Sequence, residues 1–139
     1  MTLLPKSLKS LTINGDPSSF DASSTFLIPR YLTYLRILCS VQWTDKSMTA
    51  LPDCLGELSV YGGRELTDAC FKKLPHSLHS LTLRSNRNIT PECLKWVPPM
   101  LTTLNLRRNV NFKKKHLKLL PTGLKLITKK LKISPVAWD

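Results

Sequence analysis

Residues 111–121 read NFKKKHLKLLP, and Lys113, Lys114 and Lys115 stand together near the start of that stretch. Three adjacent ammonium groups have one obvious chemistry, the holding of an anion. If they open a helix, its unpaired N–H groups add to the same attraction. Lys129, Lys130 and Lys132 extend the cationic set toward the C-terminus. The chain carries a net charge of +12, unevenly placed. Residues 1–94 hold ten basic and eight acidic side chains, a net +2, whereas residues 95–139 hold eleven basic ones against Asp139, a net +10. Such a block suits an acidic protein, an anionic surface or nucleic acid. It equally suits a solvated face that does no more than keep the chain dispersed in water.

Sulfur and imidazole could supply other chemistry, and their spacing argues against it. The four cysteines include no CxxC pair, so no zinc site is expected. His76 and His79 lie three apart with no evident third ligand. No GxSxG, P-loop, GxGxxG or HExxH stretch occurs. The expectation is therefore a chain that is not an enzyme and uses no metal, cofactor or small-molecule substrate. At 139 residues, with 42% apolar and 22% charged side chains, it is long and apolar enough for one globular domain with its own core. No run of 18 apolar residues is present, so no membrane span is expected. The opening MTLLPKSLKSLTI lacks the apolar stretch of a signal peptide, which predicts a cytoplasmic, reducing setting with free thiols. A nuclear or organellar location stays open.

The elements that must position these groups are set by a period. Prolines stand at Pro5, Pro29, Pro52, Pro75, Pro98 and Pro121, spaced by 24 and then by 23 residues. Three, six and eight residues after each of the first five comes an apolar residue, as in Leu78, Leu81 and Leu83. The alternation of SLTLRS predicts a short strand with its leucines on one face. Small or polar residues follow at Asp16, Ser40, Gly63, Asn86 and Asn109, where a tight turn is expected. Then come Thr44, Thr67 and Thr90, with Asp21 in the same phase after a one-residue insertion, all good helix N-caps. Asp45, Asp68 and Pro91 suit the first turn of a short helix. Lys113 falls in the N-cap phase of the last unit, so its helix lacks a capping side chain and its first turn repels itself. Cys70 and Cys93 share one helix position, and packing is their expected role.

LHSLTLRSNRNI, residues 78–89, resembles the LxxLxLxxNxx(I/L) core of the leucine-rich repeat family. LTDACF and ITPECL are similar to its cysteine-containing and ribonuclease-inhibitor-like branches, which include the F-box leucine-rich proteins. The resemblance covers the chain from Leu4 to about Ile127. It implies an α/β solenoid, with a curved parallel sheet on the concave face and short α or 3₁₀ helices on the convex one. The expected units are about 4–27, 28–50, 51–73, 74–96 and 97–119, with a degenerate sixth repeat or cap at 120–139. In the tail, Leu131 and Ile133 are expected in a closing strand, with Trp138 over the last coil. Because Leu4-Pro5 opens a repeat at once, the N-terminal end is expected to be covered by a partner or by further upstream repeats.

In that family the residues between and just after the strand leucines face the concave surface. Here these include Tyr34 and Arg36, then Glu57, Ser59 and Tyr61, then Thr82 and Arg84, then Asn105, Arg107 and Arg108. Tyrosine and arginine are the types that anchor interfaces. The primary expectation is a protein partner on this face, and the resemblance to the F-box branch implies a recognition subunit of a larger complex such as a ubiquitin-ligase adaptor. The alternative is RNA or another polyanion, in a ribonucleoprotein assembly, held by Lys113, Lys114, Lys115, Lys129, Lys130 and Lys132. A merely solvated sheet face would carry similar residues.

Overall fold

A computed structural model describes residues 4–14, 28–38, 43–62, 65–109, 111–127 and 132–133, of which 114, 117, 126, 127, 132 and 133 are described by backbone only. Asp16, Asp21, Ser40, Gly63, Lys129, Lys130, Leu131 and Trp138 lie outside the described residues.

Each unit starts with the same turn. The N–H of the residue three after the proline donates to the proline carbonyl, from Leu8 to Pro5 through Leu124 to Pro121 at 3.0–3.2 Å. Proline suits this place because it presets its own backbone angle and needs no N–H there. A strand follows each turn: β1 (Ser10–Ile13), β2 (Tyr34–Ile37), β3 (Glu57–Tyr61), β4 (Ser80–Arg84), β5 (Thr103–Asn105) and β6 (Lys125–Ile127). They form one sheet in sequence order, each parallel to the next. Leu11, Leu35, Leu58, Leu81, Leu104 and Leu126 stand side by side in the register. β7 (Lys132–Ile133) closes this row antiparallel to β6, as the tail predicts, with Ile133 opposite Leu126. The fold is a leucine-rich repeat solenoid.

The return path of four units is a helix of six residues: η1 (Asp45–Ala50), η2 (Asp68–Lys73), η3 (Pro91–Trp96) and η4 (Lys114–Leu119). All four are 3₁₀ rather than α. The tighter helix rises about 2.0 Å per residue instead of 1.5 Å, which carries a short segment farther along its coil. Third and fourth residues, such as Cys70 with Phe71 and Cys93 with Leu94, point into the core. The core lies between strands and helices and runs unbroken from Leu32 to Leu124. At the N-terminal end Leu8, Leu11 and Ile13 stay half-buried, because β1 has a neighbour on one side only. No helix among the described residues is long and apolar enough to cross a membrane.

Polar rungs tie coil to coil. The N–H of Thr67 donates to Asp45 Oδ1 (2.9 Å) and its hydroxyl to Oδ2 (2.6 Å). Thr90 repeats this on Asp68 at 2.7 and 2.5 Å. Each threonine oxygen also caps its own helix, accepting from Ala69 N–H and Glu92 N–H. One carboxylate thus serves the next coil's cap, a pairing at 22 residues that the N-cap assignment alone does not reveal. Asn109, buried, donates through Nδ2 to the carbonyl of Leu83 one coil back, whereas Asn86 in the same column donates to Arg84 of its own coil. Cys54 and Ser77 share another position, their Sγ and Oγ donating to carbonyls of the preceding turn.

Candidate functional site: the polar sheet face

Side chains alternate across a strand, so residues between the core leucines face outward. Parallel register arranges them in rows. Tyr34, Glu57, Ser80 and Thr103 form one, and Arg36, Ser59, Thr82 and Asn105 the next. Tyr61 stands opposite Arg84 in a third. Glu57 is exposed and the others are half-buried.

Three of the expected residues come together. The guanidinium carbon of Arg84 lies 5.2 Å from the Tyr61 ring centroid, reached from the adjacent position on β4. That of Arg36 lies 5.3 Å from the same centroid, reached diagonally from β2. Diagonal neighbours two residues off register are within reach of long side chains. One tyrosine is thus flanked by cations from both neighbouring strands, an attraction between positive charge and the ring's electron-rich face. The Nε atoms of Arg36 and Arg84 are shielded from solvent and have no hydrogen-bond partner. Among the described residues the one ion pair is Lys95 with Glu92, exposed on η3, so no described acid pairs with either guanidinium. The sequence named these three residues singly; the strand register places them as neighbours and their side-chain conformations bring them together.

Arg107 and Arg108 lie past the end of β5 and are exposed. Arg107 continues the row of Tyr61 and Arg84, its N–H donating to Asn105 Oδ1. Arg108 belongs to a different column. Gly62, Ser85 and Arg108 all have left-handed backbones, with φ of 84°, 65° and 66°. This column is the turn that ends each strand. Arg108 therefore stands at the rim of the face and not in a strand row.

The basic end is arranged otherwise. Lys113, Lys115 and Lys118 are exposed on or beside η4. Pro91 stands where Asp45 and Asp68 stand in earlier coils, so no carboxylate reaches the Lys113 backbone. Its N–H donates instead to His116 Nδ1 at 3.0 Å. The helix start disfavoured by lysine is held by an imidazole, with Phe112 and Leu120 packed half-buried against the core. Lys114 and Lys132 are described by backbone only.

No group of three or more His, Cys, Asp or Glu that could hold a metal occurs among the described residues. Cys70 and Cys93 are buried, and burial pushes both thiols well above the ordinary range, with nearby Asp45 and Asp68 adding to the shift of Cys70 and Asp68 to that of Cys93. They stay protonated and inert at neutral pH. Cys54 is exposed. N-ethylmaleimide at pH 7.5, read by peptide mass spectrometry, should modify Cys54 in the folded chain and spare Cys70 and Cys93 by at least ~100-fold until urea is added. Rapid native labelling of Cys70 would contradict its packing.

No family model matches the chain, and no curated protein matches it by sequence. Solved structures do. The leucine-rich repeat-containing protein LegL7 from Legionella pneumophila aligns with a TM-score of 0.65 at 22% identity, over 90% of this chain and 49% of LegL7. A chain of the Rad7 and Elc1 complex from yeast aligns with a TM-score of 0.69 at 21% identity, over 85% of this chain and 32% of its own length. The protein thus spans about half of the first and a third of the second. At these identities the likeness is one of fold.

Proposed function

We propose that this chain is a non-enzymatic binding module that holds a protein partner against the polar face of its sheet. The observation that carries the reading is the Arg36–Tyr61–Arg84 stack in the middle of that face. Arginine and tyrosine dominate interface anchors, and a sheet that holds them already ordered lowers the entropic cost of binding. The finer reading is a recognition subunit of a larger assembly, such as a ubiquitin-ligase adaptor. The likeness to a chain from a two-protein complex is in keeping with it. The half-buried leucines beside β1 suit a partner or further coils at that end.

The exposed lysines around η4 favour a second reading, a subunit that docks RNA or another polyanion. Photo-crosslinking separates the two. Benzoylphenylalanine placed at Ser59 or Thr82 should capture a protein in extract from the native source, insensitive to ribonuclease. The same group at Lys46, on the helix side, should capture none. RNA captured from Lys115 alone, with retention on heparin falling steeply with salt, would replace the first reading with the second.

A further inference from the structure

We propose that the Arg36–Tyr61–Arg84 stack is a clamp for carboxylates, and that the segment it takes is an acidic, extended stretch of a protein partner lying across the strands. The inference rests on the binding reading above and adds the chemistry of the ligand. Stacking on an aromatic ring uses the flat face of a guanidinium and leaves the edge of its terminal nitrogens to meet a carboxylate in a fork. The two guanidinium carbons lie 5.3 and 5.2 Å from one ring centroid, so their charges are no farther apart than about one Debye length, ~10 Å at 0.1 M salt. Two like charges at that range, with no acid of the described chain paired to either, form a site whose repulsion an incoming anion relieves. Exposed Arg107 continues the row, and exposed Lys125 adds a further cation from β6; Glu57 is the one acid on the described strands.

Spacing argues for peptide. The guanidinium carbons of Arg36 and Arg84 lie 5.3 and 5.2 Å from the Tyr61 centroid, a separation of at most about three residues of extended chain. A peptide running along the solenoid axis therefore brings acids two or three residues apart to successive arginines. Single-stranded nucleic acid is the poorer fit, since it is commonly held by bases stacked on open aromatic faces. The Tyr61 ring already carries a guanidinium from each neighbouring strand.

The test uses the full chain and three fluorescein-labelled probes: a 12-residue peptide alternating Glu and Ser, the same peptide with Gln for Glu, and a 12-residue uridine RNA. Anisotropy titrations at fixed salt should show saturable binding of the Glu peptide, at least ~10-fold tighter than the Gln peptide. Arg36→Gln and Arg84→Gln should each weaken it by about 10-fold or more, and Arg84→Lys should recover only part of the loss because an ammonium lacks the fork. Lys113→Glu with Lys115→Glu should leave it within about 2-fold. Matched urea midpoints of the arginine variants establish that folding is intact. Binding of the Glu peptide unaffected by Arg36→Gln and Arg84→Gln would overturn the clamp, as would RNA bound more tightly than peptide and lost in the same variants. If crosslinks from Ser59 and Thr82 to a protein persist in the double variant, the clamp fails and the binding face stands. If those crosslinks never form, the binding reading itself fails.

Discussion

Leu81→Ala should lower the unfolding free energy by about 3 kcal/mol, most of what a fully enclosed leucine contributes once the residual cavity is counted. Leu81 is wholly buried, on β4, with Leu58 beside it on one strand and Leu104 on the other. The expectation is sharper when it is set against Leu11, the same residue of the unit at the open end. Leu11 has a strand neighbour on one side only and is half-buried, so Leu11→Ala should cost about 1 kcal/mol. A domain of this size has a total stability on the order of 5–15 kcal/mol, so the first change is large and the second is modest. Urea titrations of the two variants measure the difference directly. Equal losses at both sites would mean that the coils do not lean on one another as the register requires.

Asp68→Ala should cost about 2–3 kcal/mol. It strips two donors of Thr90, the backbone N–H and the hydroxyl, of a charged acceptor in a partly buried place. Asp68→Asn should cost only about 1 kcal/mol, because one amide oxygen remains for the N–H. A competing account gives Asp68 a purely local role, its negative charge at the start of η2, worth roughly 0.3–1 kcal/mol. A double-mutant cycle with Thr90→Ala separates them. Two residues 22 apart that share one rung should show a coupling of at least ~1 kcal/mol, while a local charge effect would leave the two losses additive.

Much of the architecture was legible because the coil length hardly varies. A fixed phase makes proline turns, strand leucines and N-cap threonines recur in columns, and each column has one physical job. The signal fails where the job depends on two columns at once. Asp45 and Thr67 each look like ordinary helix-start residues, and only the stacking of one coil on the next turns them into a rung. The left-handed backbone at the strand ends is hidden for a related reason. Gly62 occupies that column, and glycine hints at a positive φ. Arg108 in the same column reads as a surface cation, and nothing in its side chain announces a left-handed turn. The arginine pair on Tyr61 is a matter of rotamers, which sequence does not specify, although the diagonal placement follows from the register once the strands are fixed. At the lysine-rich helix the opposing charge was legible, and the substitute cap by His116 was not, since it needs the imidazole turned back on the backbone.

The sequential order of the strands makes this molecule a ruler. Every coil adds one strand spacing, about 4.8 Å, to the inner surface and nothing to its width. From β1 to β6 the graduated edge measures about 24 Å, the reach of some seven extended residues. An acidic segment of the kind proposed above would be gauged along it by length as much as by charge, and each added or lost coil would move the limit by roughly one and a half residues.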